Sequence, residues 1–525
     1  MHRILVTEPI AAEGLSLLRQ EAEVDVVEVT DPEALSRVIG PYHGLVVRSK
    51  THVTEPVIDA AHCLLAVARA GAGVDNIDLA AATRRGIVVV NAPYGNTVSV
   101  AEHTLAMMLA LARRIPQGDS ALRGGRWAKS CCRGIQVRGK TLGLVGLGSI
   151  GTAVARRAQG LEMKVVGYDP FVTPDRATRA GVEWMTWEDV LRNSDFLSLH
   201  LPLNEQTRGL VGRRELALMK ESAYLINCAR GGLVDEEALA SALEAGRLAG
   251  AALDVFDEEP PSATPLLRSN RIVVTPHVSG STEEALRDTA VEVAQQLLDV
   301  LAGRMPRYPV NAPALGPEEM EQLGPYLDLA ERLGSLYAQL AGDHLSDVEV
   351  TCTGDIPSQR LELIVSTVLV GLLKGAAEEP VNWINAGVVA QERGIAFAGR
   401  RKPSDEAGWA NLIELRLRAD SEEREVAGTV LRGEPHVVQM DGYWLDFVAR
   451  GLLLISRHVE QPGILGRMGT VLGEAGVNIH FVQVGRRERG GSGILVLGLD
   501  DPLSPGVLKD VLALPSIRSA TMVKL

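Results

Sequence analysis

Three side chains that could do chemistry stand just past stretches that read as β-strands: Arg230 in "YLINCARGGLVD", Glu259 in "ALDVFDEEPP" and His277 in "VVTPHVSGST". A guanidinium is planar and permanently charged, and it grips a carboxylate through two parallel hydrogen bonds. An imidazole takes or returns a proton near neutral pH, and a carboxylate bonded to its ring fixes its tautomer. Together they suit removal of a hydride from a hydroxyl-bearing carbon: the arginine steers an acid, the histidine moves the hydroxyl proton and the glutamate braces the histidine. Alternatives are visible in the same stretches, since Asp257 and Glu258 compete with Glu259, and Arg230 could pair with Asp235 or Glu236 instead. Gly231 and Gly232 behind the arginine read as a hinge-like pair that permits close backbone approach.

Hydride transfer needs an acceptor, and the chain has a place for one. Gly146-Leu147-Gly148-Ser149-Ile150-Gly151 follows the apolar run "TLGLV" and opens the helical "GTAVARRAQGL". In such a turn one glycine makes the tight bend, one lets a pyrophosphate approach the backbone, and one lets helix and strand pack. The helix N-terminus holds the phosphates. Asp169 ends the next strand, 18 residues after Gly151. Its carboxylate can accept from an adenosine ribose and would repel a 2'-phosphate, so NAD is expected over NADP.

These residues need strands to present them. Residues 1 to 95 alternate short apolar strands with stretches of 3.6-residue period, and a second such series runs from "KTLGLVGLGSIG" to "RIVVTPHVSGS". That pattern predicts α/β structure with two Rossmann-like, doubly wound parallel-sheet lobes, and ligands outside the carboxyl ends of the strands. Ser281-Thr282-Glu283-Glu284 announces a long helix. "RMPRYPVNAPALGPEE" then breaks the pattern and reads as a linker. Two further units follow, an α+β stretch of about 316–450 and a βαββαβ, ferredoxin-like stretch of 451–525, neither carrying a glycine fingerprint.

Composition narrows the partners. At roughly 100–200 residues per domain, 525 residues hold about three to five domains. A net charge of -13 argues against nucleic acid, which is bound through clustered Lys and Arg. The opening "MHRILVTEPI" reads as a strand and not as a signal peptide, and "LIVSTVLVGLLKGAA" is too short to span a bilayer, so a cytoplasmic protein without membrane contact is expected. Five cysteines, with only Cys131 and Cys132 adjacent, form neither a disulfide framework nor a CxxC metal site; reduced thiols and no metal are expected.

The stretches "ARAGAGVDNIDL", "GLGSIG", "YDP", "HLPL", "NCARGGLVDEEAL", "ALDVFDEEP" and "TPHVSGST" closely resemble the D-isomer-specific 2-hydroxyacid dehydrogenases over about the first 310 residues. The resemblance implies that Arg230 orients the substrate's carboxylate and carbonyl, Glu259 supports the imidazole, and His277 is the acid-base group. It implies cofactor contacts at Gly146, Gly148, Ser149, Ile150, Gly151, Asp169, Cys228, Ala229, Asp254 and the run from His277 to Gly280. It also implies a discontinuous substrate lobe, residues 1–95 with 284–310, into which an NAD lobe of 96–283 is inserted. Substrate contacts are then expected at Arg48, Ser49, Arg69, Ala72, Gly73 and Asn96, with Arg48 and Arg69 as anchors for a phosphate. Departures include "HVSGST" where relatives often carry "HLGAST", and Ala72 where some have a hydroxyl residue.

The C-terminal units point to one branch of that family. "HVEQPGIL" and "GVNI" resemble the ACT domain, an amino-acid sensor; His458, Glu460 and Asn478 would by that likeness line a serine site at a domain interface, with Glu460 standing where relatives more often have Asp or Asn. Residues 316–450, with "VNWINAGVVAQERGI" and "DGYWLDFVARG", resemble the intervening domain of the longer members, tied to regulation and assembly. The expected reaction is NAD-dependent oxidation of D-3-phosphoglycerate to 3-phosphohydroxypyruvate, the first step of serine synthesis, in a homodimer or homotetramer with serine as effector. A glycerate or hydroxypyruvate reductase is the same-chemistry alternative, though those usually end near residue 310. A non-enzymatic NAD(H)-sensing scaffold would keep the same three residues without turnover.

Overall fold

The computed structural model describes residues 1–130, 132–262, 265–313, 317–341, 345–354, 356, 360–375, 380–403, 409–419 and 422–525. Cys131 and the residues 314–316 of the proline-rich stretch, where the third unit is expected to begin, lie outside them.

Two wholly parallel sheets carry the first 310 residues. In the first, the strands Glu23–Val26, Arg3–Val6, Gly44–Val47, Ala66–Arg69 and Val88–Asn91 lie side by side in that order. In the second the order is Ile272–Val274, Gly250–Leu253, Tyr224–Asn227, Phe196–Leu199, Thr141–Val145, Lys164–Tyr168 and Glu183–Trp184. The inner strands are near-continuous apolar runs, because helices cover both faces of the sheet; Leu197, Leu225, Ala251 and Ala252 are all fully buried. The helix Glu283–Leu301 begins where the sequence announces it, with Thr282 as N-cap accepting from the Ala285 N–H, and it packs against Ala12–Glu21 and the first sheet.

The proline-rich stretch is tied down. Val310 donates to Val89 O at 2.7 Å, Asn311 accepts from the Val89 N–H, and Tyr308 N donates to Gln296 Oε1, so residues 308–311 line the outer edge of the first sheet. Its prolines are tolerated there because an edge strand needs hydrogen bonds on one side only.

Beyond it, a mixed six-stranded sheet in the order Ala396–Lys402, Leu345–Gly354, Asn411–Ala419, Glu422–Leu431, Glu434–Met440 and Tyr443–Val448 packs under the helices Pro317–Ala341 and Leu361–Leu373. The apolar run from Leu363 is thus a buried core helix. The basic run Arg400-Arg401-Lys402 belongs to the edge strand, where Arg400 pairs with Glu349 and Lys402 with Glu414. A four-stranded antiparallel sheet closes the chain in the order Ile479–Arg486, Ser492–Leu499, Leu452–Val459, Ile517–Lys524, with the helices Ile464–Glu474 and Pro505–Leu512 against it, the ferredoxin-like arrangement expected from the sequence.

The last two units share a seam. Asp441, in the turn before Tyr443–Val448, accepts from Tyr337 and Arg424 of its own unit and from Arg457 of the last one, and its carbonyl accepts from Arg487. A cavity of about 580 Å³ opens there, lined by Arg424, Arg457 and Arg487 but also by Glu423, Glu425 and Asp441, so its charges balance within the wall.

Candidate active site

Every candidate catalytic or cofactor residue of the first 310 sits just past the carboxyl end of a parallel strand, except where the glycine run continues into a helix. This follows from the fold: a parallel sheet turns all its carboxyl ends to one side. The strand Tyr224–Asn227 leads to Arg230, Gly250–Leu253 to Asp254 and Glu259, and Ile272–Val274 to His277. These strands are consecutive neighbours, so their tips lie within roughly 10 Å of one another.

His277 Nδ1 lies 2.7 Å from Glu259 Oε2, and Glu259 Oε1 accepts from the Phe256 N–H at 3.1 Å. The glutamate is therefore held at both oxygens, and its partner's Nε2 is the ring nitrogen left for a substrate. The competing carboxylates are engaged elsewhere: Asp257 accepts from the Gly232 N–H at 2.5 Å, and Glu258 from Ser262 Oγ at 3.4 Å. His277 takes a left-handed backbone, φ 51°, fixed by its N–H donating to Asp254 O at 2.8 Å.

Asp254 itself is fully buried. Oδ1 accepts from Thr275 Oγ1 at 2.5 Å and from the Val278 N–H at 2.9 Å; Oδ2 accepts from the Ser279 N–H at 2.9 Å. His103 Nε2 stands 3.6 Å away. Burial alone would raise this carboxyl, but the nearby His103 and the bonds from Thr275, Val278 and Ser279 outweigh it and hold it at about 2. Asp254, expected from the sequence to contact the cofactor, also braces the 275–279 loop beneath His277 through these bonds.

Arg230 pairs neither with Asp235, which caps the helix Glu236–Glu244, nor with Glu236, which accepts from the Asp257 N–H. Its Nε donates to Asp75 Oδ2 at 3.0 Å, and Nη1 donates to Ala229 O at 2.7 Å. Asn227, almost fully buried, shapes the turn by donating to Arg230 O and accepting from the Ala229 N–H. A Cβ on Gly231 would come within 1.8 Å of Phe256 O, so glycine is required there by close approach of the two strand tips. Cys228 is buried, and desolvation followed by the nearby Asp254 pushes its thiol up to about 12, which leaves it inert.

The three glycines of the turn meet different surroundings. Gly146 has φ 94°, and a Cβ would lie 2.3 Å from His200 O; a Cβ on Gly151 would lie 2.1 Å from Gly146 O. Gly148, by contrast, has open space around it, and as N-cap of Ser149–Gly160 it offers no capping side chain. The first N–H groups of that helix, at Ser149 and Ile150, are therefore available to an anion. Asp169 accepts from the Leu147 N–H at 2.9 Å and the Phe171 N–H at 2.8 Å, which fixes it beside the turn. On the other side of the turn, against Gly146, stands His200, whose imidazole burial pushes down to about 4. Beside Gly280, Asn96 has a buried Oδ1 with no partner among the described residues, and its Nδ2 would stand 3.1 Å from a Cβ on Gly280. An open glycine, an uncapped helix start and an orphaned amide oxygen fit a dinucleotide.

The first sheet contributes cations. Arg69 ends the strand Ala66–Arg69, and its Nε is buried without a partner among the described residues. Burial, then the like charge of Arg230, brings its guanidinium down to about 10. Arg48 Nη1 donates to Pro9 O at 3.2 Å. Buried Glu8 accepts from the N–H groups of Arg48, Lys50 and Thr51 and from Thr51 Oγ1, fixing the loop that contains Ser49. Ala72 O accepts from Asn91 Nδ2 at 2.5 Å, and Gly73 lies against Arg230. Glu8, Asp75, His103 and Asn227 were not singled out from the sequence; Glu8 and Asn227 carry the same signal as Arg230, a polar residue at a strand tip.

The candidate effector residues do not meet within one chain. His458 is buried, and its Nδ1 has no partner among the described residues; burial lowers its pKa. Glu460 accepts from Arg486 Nη1 at 2.5 Å and from the Gly490 N–H at 2.7 Å, which together lower its pKa, the Gly490 bond most. Asn478 donates to Asp500 Oδ2 at 2.7 Å, beyond the other end of the strand Ser492–Leu499. Eight residues of strand put it roughly 20–25 Å from Glu460. Antiparallel pairing forces this, because the two positions flank opposite ends of one strand.

This fold and this strand-tip set define a dinucleotide-dependent dehydrogenase of small hydroxy acids. The profile described as "D-isomer specific 2-hydroxyacid dehydrogenase, NAD binding domain" matches residues 105–279, "D-3-phosphoglycerate dehydrogenase intervening domain" matches 322–441, and "ACT domain" matches 452–515. The D-3-phosphoglycerate dehydrogenases of Methanocaldococcus jannaschii and Bacillus subtilis are 39% and 38% identical to it, each over the full length of both chains. Among solved structures, the TT0316 protein of Thermus thermophilus is 38% identical with a TM-score of 0.54, covering 59% of this chain and 99% of its own. The Aquifex aeolicus D-lactate dehydrogenase complexed with NAD and lactic acid is 25% identical with a TM-score of 0.54, covering 60% of this chain and all of its own. The chain belongs to the D-3-phosphoglycerate dehydrogenase family.

Proposed function

We propose that this chain oxidises D-3-phosphoglycerate to 3-phosphohydroxypyruvate with NAD, the opening step of serine synthesis. The observation that carries the reading is the His277–Glu259 pair on strand tips beside that of Arg230, itself facing Arg69. Bound NAD supplies the hydride acceptor, held by the turn Gly146–Gly151 and Asp169. Arg230 takes the substrate's carboxylate, with the backbone at Ala72 and Gly73 beside it. Arg69 and Arg48 take the phosphate; the buried, unpartnered Nε of Arg69 leaves a donor for an anion. His277 Nε2 receives the hydroxyl proton as the hydride leaves, and Glu259, on Nδ1, stabilises the imidazolium that forms.

Serine as effector rests on the ACT match and on His458, Glu460 and Asn478. Since one chain separates Asn478 from the other two, a site using all three takes Asn478 from a second copy. A homo-oligomer is further supported by Trp127, 84% exposed beyond the helix Ile115–Arg123, with Ile115 and Leu122 also exposed on that helix. No described helix is long and apolar enough to cross a membrane, and with bacterial and archaeal metabolic relatives a cytoplasmic place fits.

Initial rates of NADH formation with D-3-phosphoglycerate, glycerate and lactate, each with and without serine, test this. Phosphoglycerate is expected to be preferred by at least about a hundredfold in kcat/KM; equal rates with glycerate would favour the reductase, and no NADH at all a scaffold.

A further inference from the structure

We propose that Asp75 is a positioning residue for this reaction: it holds the Arg230 guanidinium across the cleft in the orientation that receives the substrate's carboxylate. The inference rests on the reading of Arg230 as the carboxylate-binding group. Asp75 lies in the loop after Ala66–Arg69, on the first sheet, whereas Arg230 follows Tyr224–Asn227, on the second. Their contact, Nε to Oδ2 at 3.0 Å, therefore joins the two lobes.

The geometry restricts how Arg230 can present itself. Nε is bonded to Asp75 and Nη1 to Ala229 O, on opposite sides of a planar group. With both anchored, the plane is fixed, and both Nη2 protons and the second Nη1 proton are left for a ligand. Nη2 lies directly over Gly73: a Cβ on that residue would come within 1.9 Å of Nη2 and 2.8 Å of Asp75 Oδ2. Glycine at 73 is thus the residue that lets aspartate and arginine meet.

Charge placement points the same way. Arg69 feels Arg230 and Arg48 as like charges and Asp75 as the larger of two opposing ones, ahead of Glu8. Glu8, the other acid in reach, is already engaged by four donors of the 48–51 loop. Asp75 offsets the repulsion between the two guanidiniums while engaging Nε, not the Nη edge that a substrate would use. Its side chain is 64% exposed, so screening keeps the pair weak as a stabiliser of the fold; its effect is on orientation.

The test uses the full-length chain and the variants Asp75→Asn, Asp75→Glu, Gly73→Ala and Arg230→Lys, alone and combined. In Asp75→Asn, KM for D-3-phosphoglycerate is expected to rise about tenfold with a smaller fall in kcat, while NADH affinity, read by fluorescence, stays within about twofold. Asp75→Glu should recover most of the loss. Gly73→Ala, which crowds Nη2 with Asp75 intact, should mimic it. In the Arg230→Lys background, Asp75→Asn should add less than about twofold. An unchanged or lowered KM in Asp75→Asn, or full additivity with Arg230→Lys, overturns the proposal. If Arg230→Lys alone leaves KM and kcat unaltered, the carboxylate-binding role of Arg230 fails instead.

Discussion

His277 Nδ1 and Glu259 Oε2 meet at 2.7 Å although they sit on the tips of different strands, with the imidazole carried on a left-handed backbone that Asp254 holds from below. The pair is assembled by the sheet, and each half depends on a separate loop.

Removing either half should cost turnover unequally. His277→Ala is expected to lower kcat by about 100- to 10,000-fold, since the proton acceptor is gone, and Glu259→Gln by about 10- to 100-fold, since the ring keeps a bonding partner but loses its counter-charge. NADH binding should persist in both. Steady-state kinetics alongside NADH fluorescence decide; a Glu259→Gln enzyme with wild-type kcat would mean the carboxylate only shapes its loop.

The three glycines of the cofactor turn should fail differently. Gly148→Val points into open space, so the melting temperature without cofactor should hardly move while NADH affinity falls at least about tenfold. Gly151→Ala drives a methyl into Gly146 O and should destabilise the apo protein by about 1–3 kcal/mol. Thermal unfolding with and without NADH separates the two cases, and equal effects would contradict the assignment of Gly148 to the pyrophosphate.

Arg69→Met should exchange function for stability. Burial and Arg230 both disfavour the charge at this position, so replacing it with an apolar chain of similar length is expected to raise the melting temperature by a few degrees. KM for D-3-phosphoglycerate should rise about a hundredfold and that for unphosphorylated glycerate far less. A lowered melting temperature, or equal losses for both acids, would remove Arg69 from the phosphate site.

Acid should act on the NAD lobe in two windows. His200, lowered by burial from 6.5 to about 4, binds protons more readily unfolded; its contribution is complete above 6.5 and is lost as pH falls through 4. Asp254, lowered from 3.8 to about 2, contributes above 3.8 and loses that contribution as pH falls through 2. These shifts amount to roughly 3 kcal/mol for His200 and roughly 2 kcal/mol for Asp254. Denaturant midpoints of His200→Gln should therefore be flatter than wild type between pH 6.5 and 4, with Asp254→Asn flattening only the lower window; parallel curves would show that neither group is held as described.

The sequence alone determined the elements and the list of chemically able residues. Periodicity separates parallel-sheet lobes from the later units, the GxGxxG turn announces its helix, and Arg230, Glu259 and His277 stand out because charged groups at buried strand tips need a reason to be there. Those signals are local: each is written within about ten residues. What the tertiary structure decided were the pairings between distant segments. It selected Glu259 over Asp257 and Glu258 by giving those two other donors, turned Asp254 toward the loop below His277, and made Gly231 a packing requirement. It gave Arg230 a partner 155 residues away, bonded the proline-rich stretch to a sheet edge, and separated Asn478 from Glu460. Which of several equivalent carboxylates or amides meets a given cation depends on strand order and register, and these are set by burial across the whole sheet, which no short stretch of sequence contains.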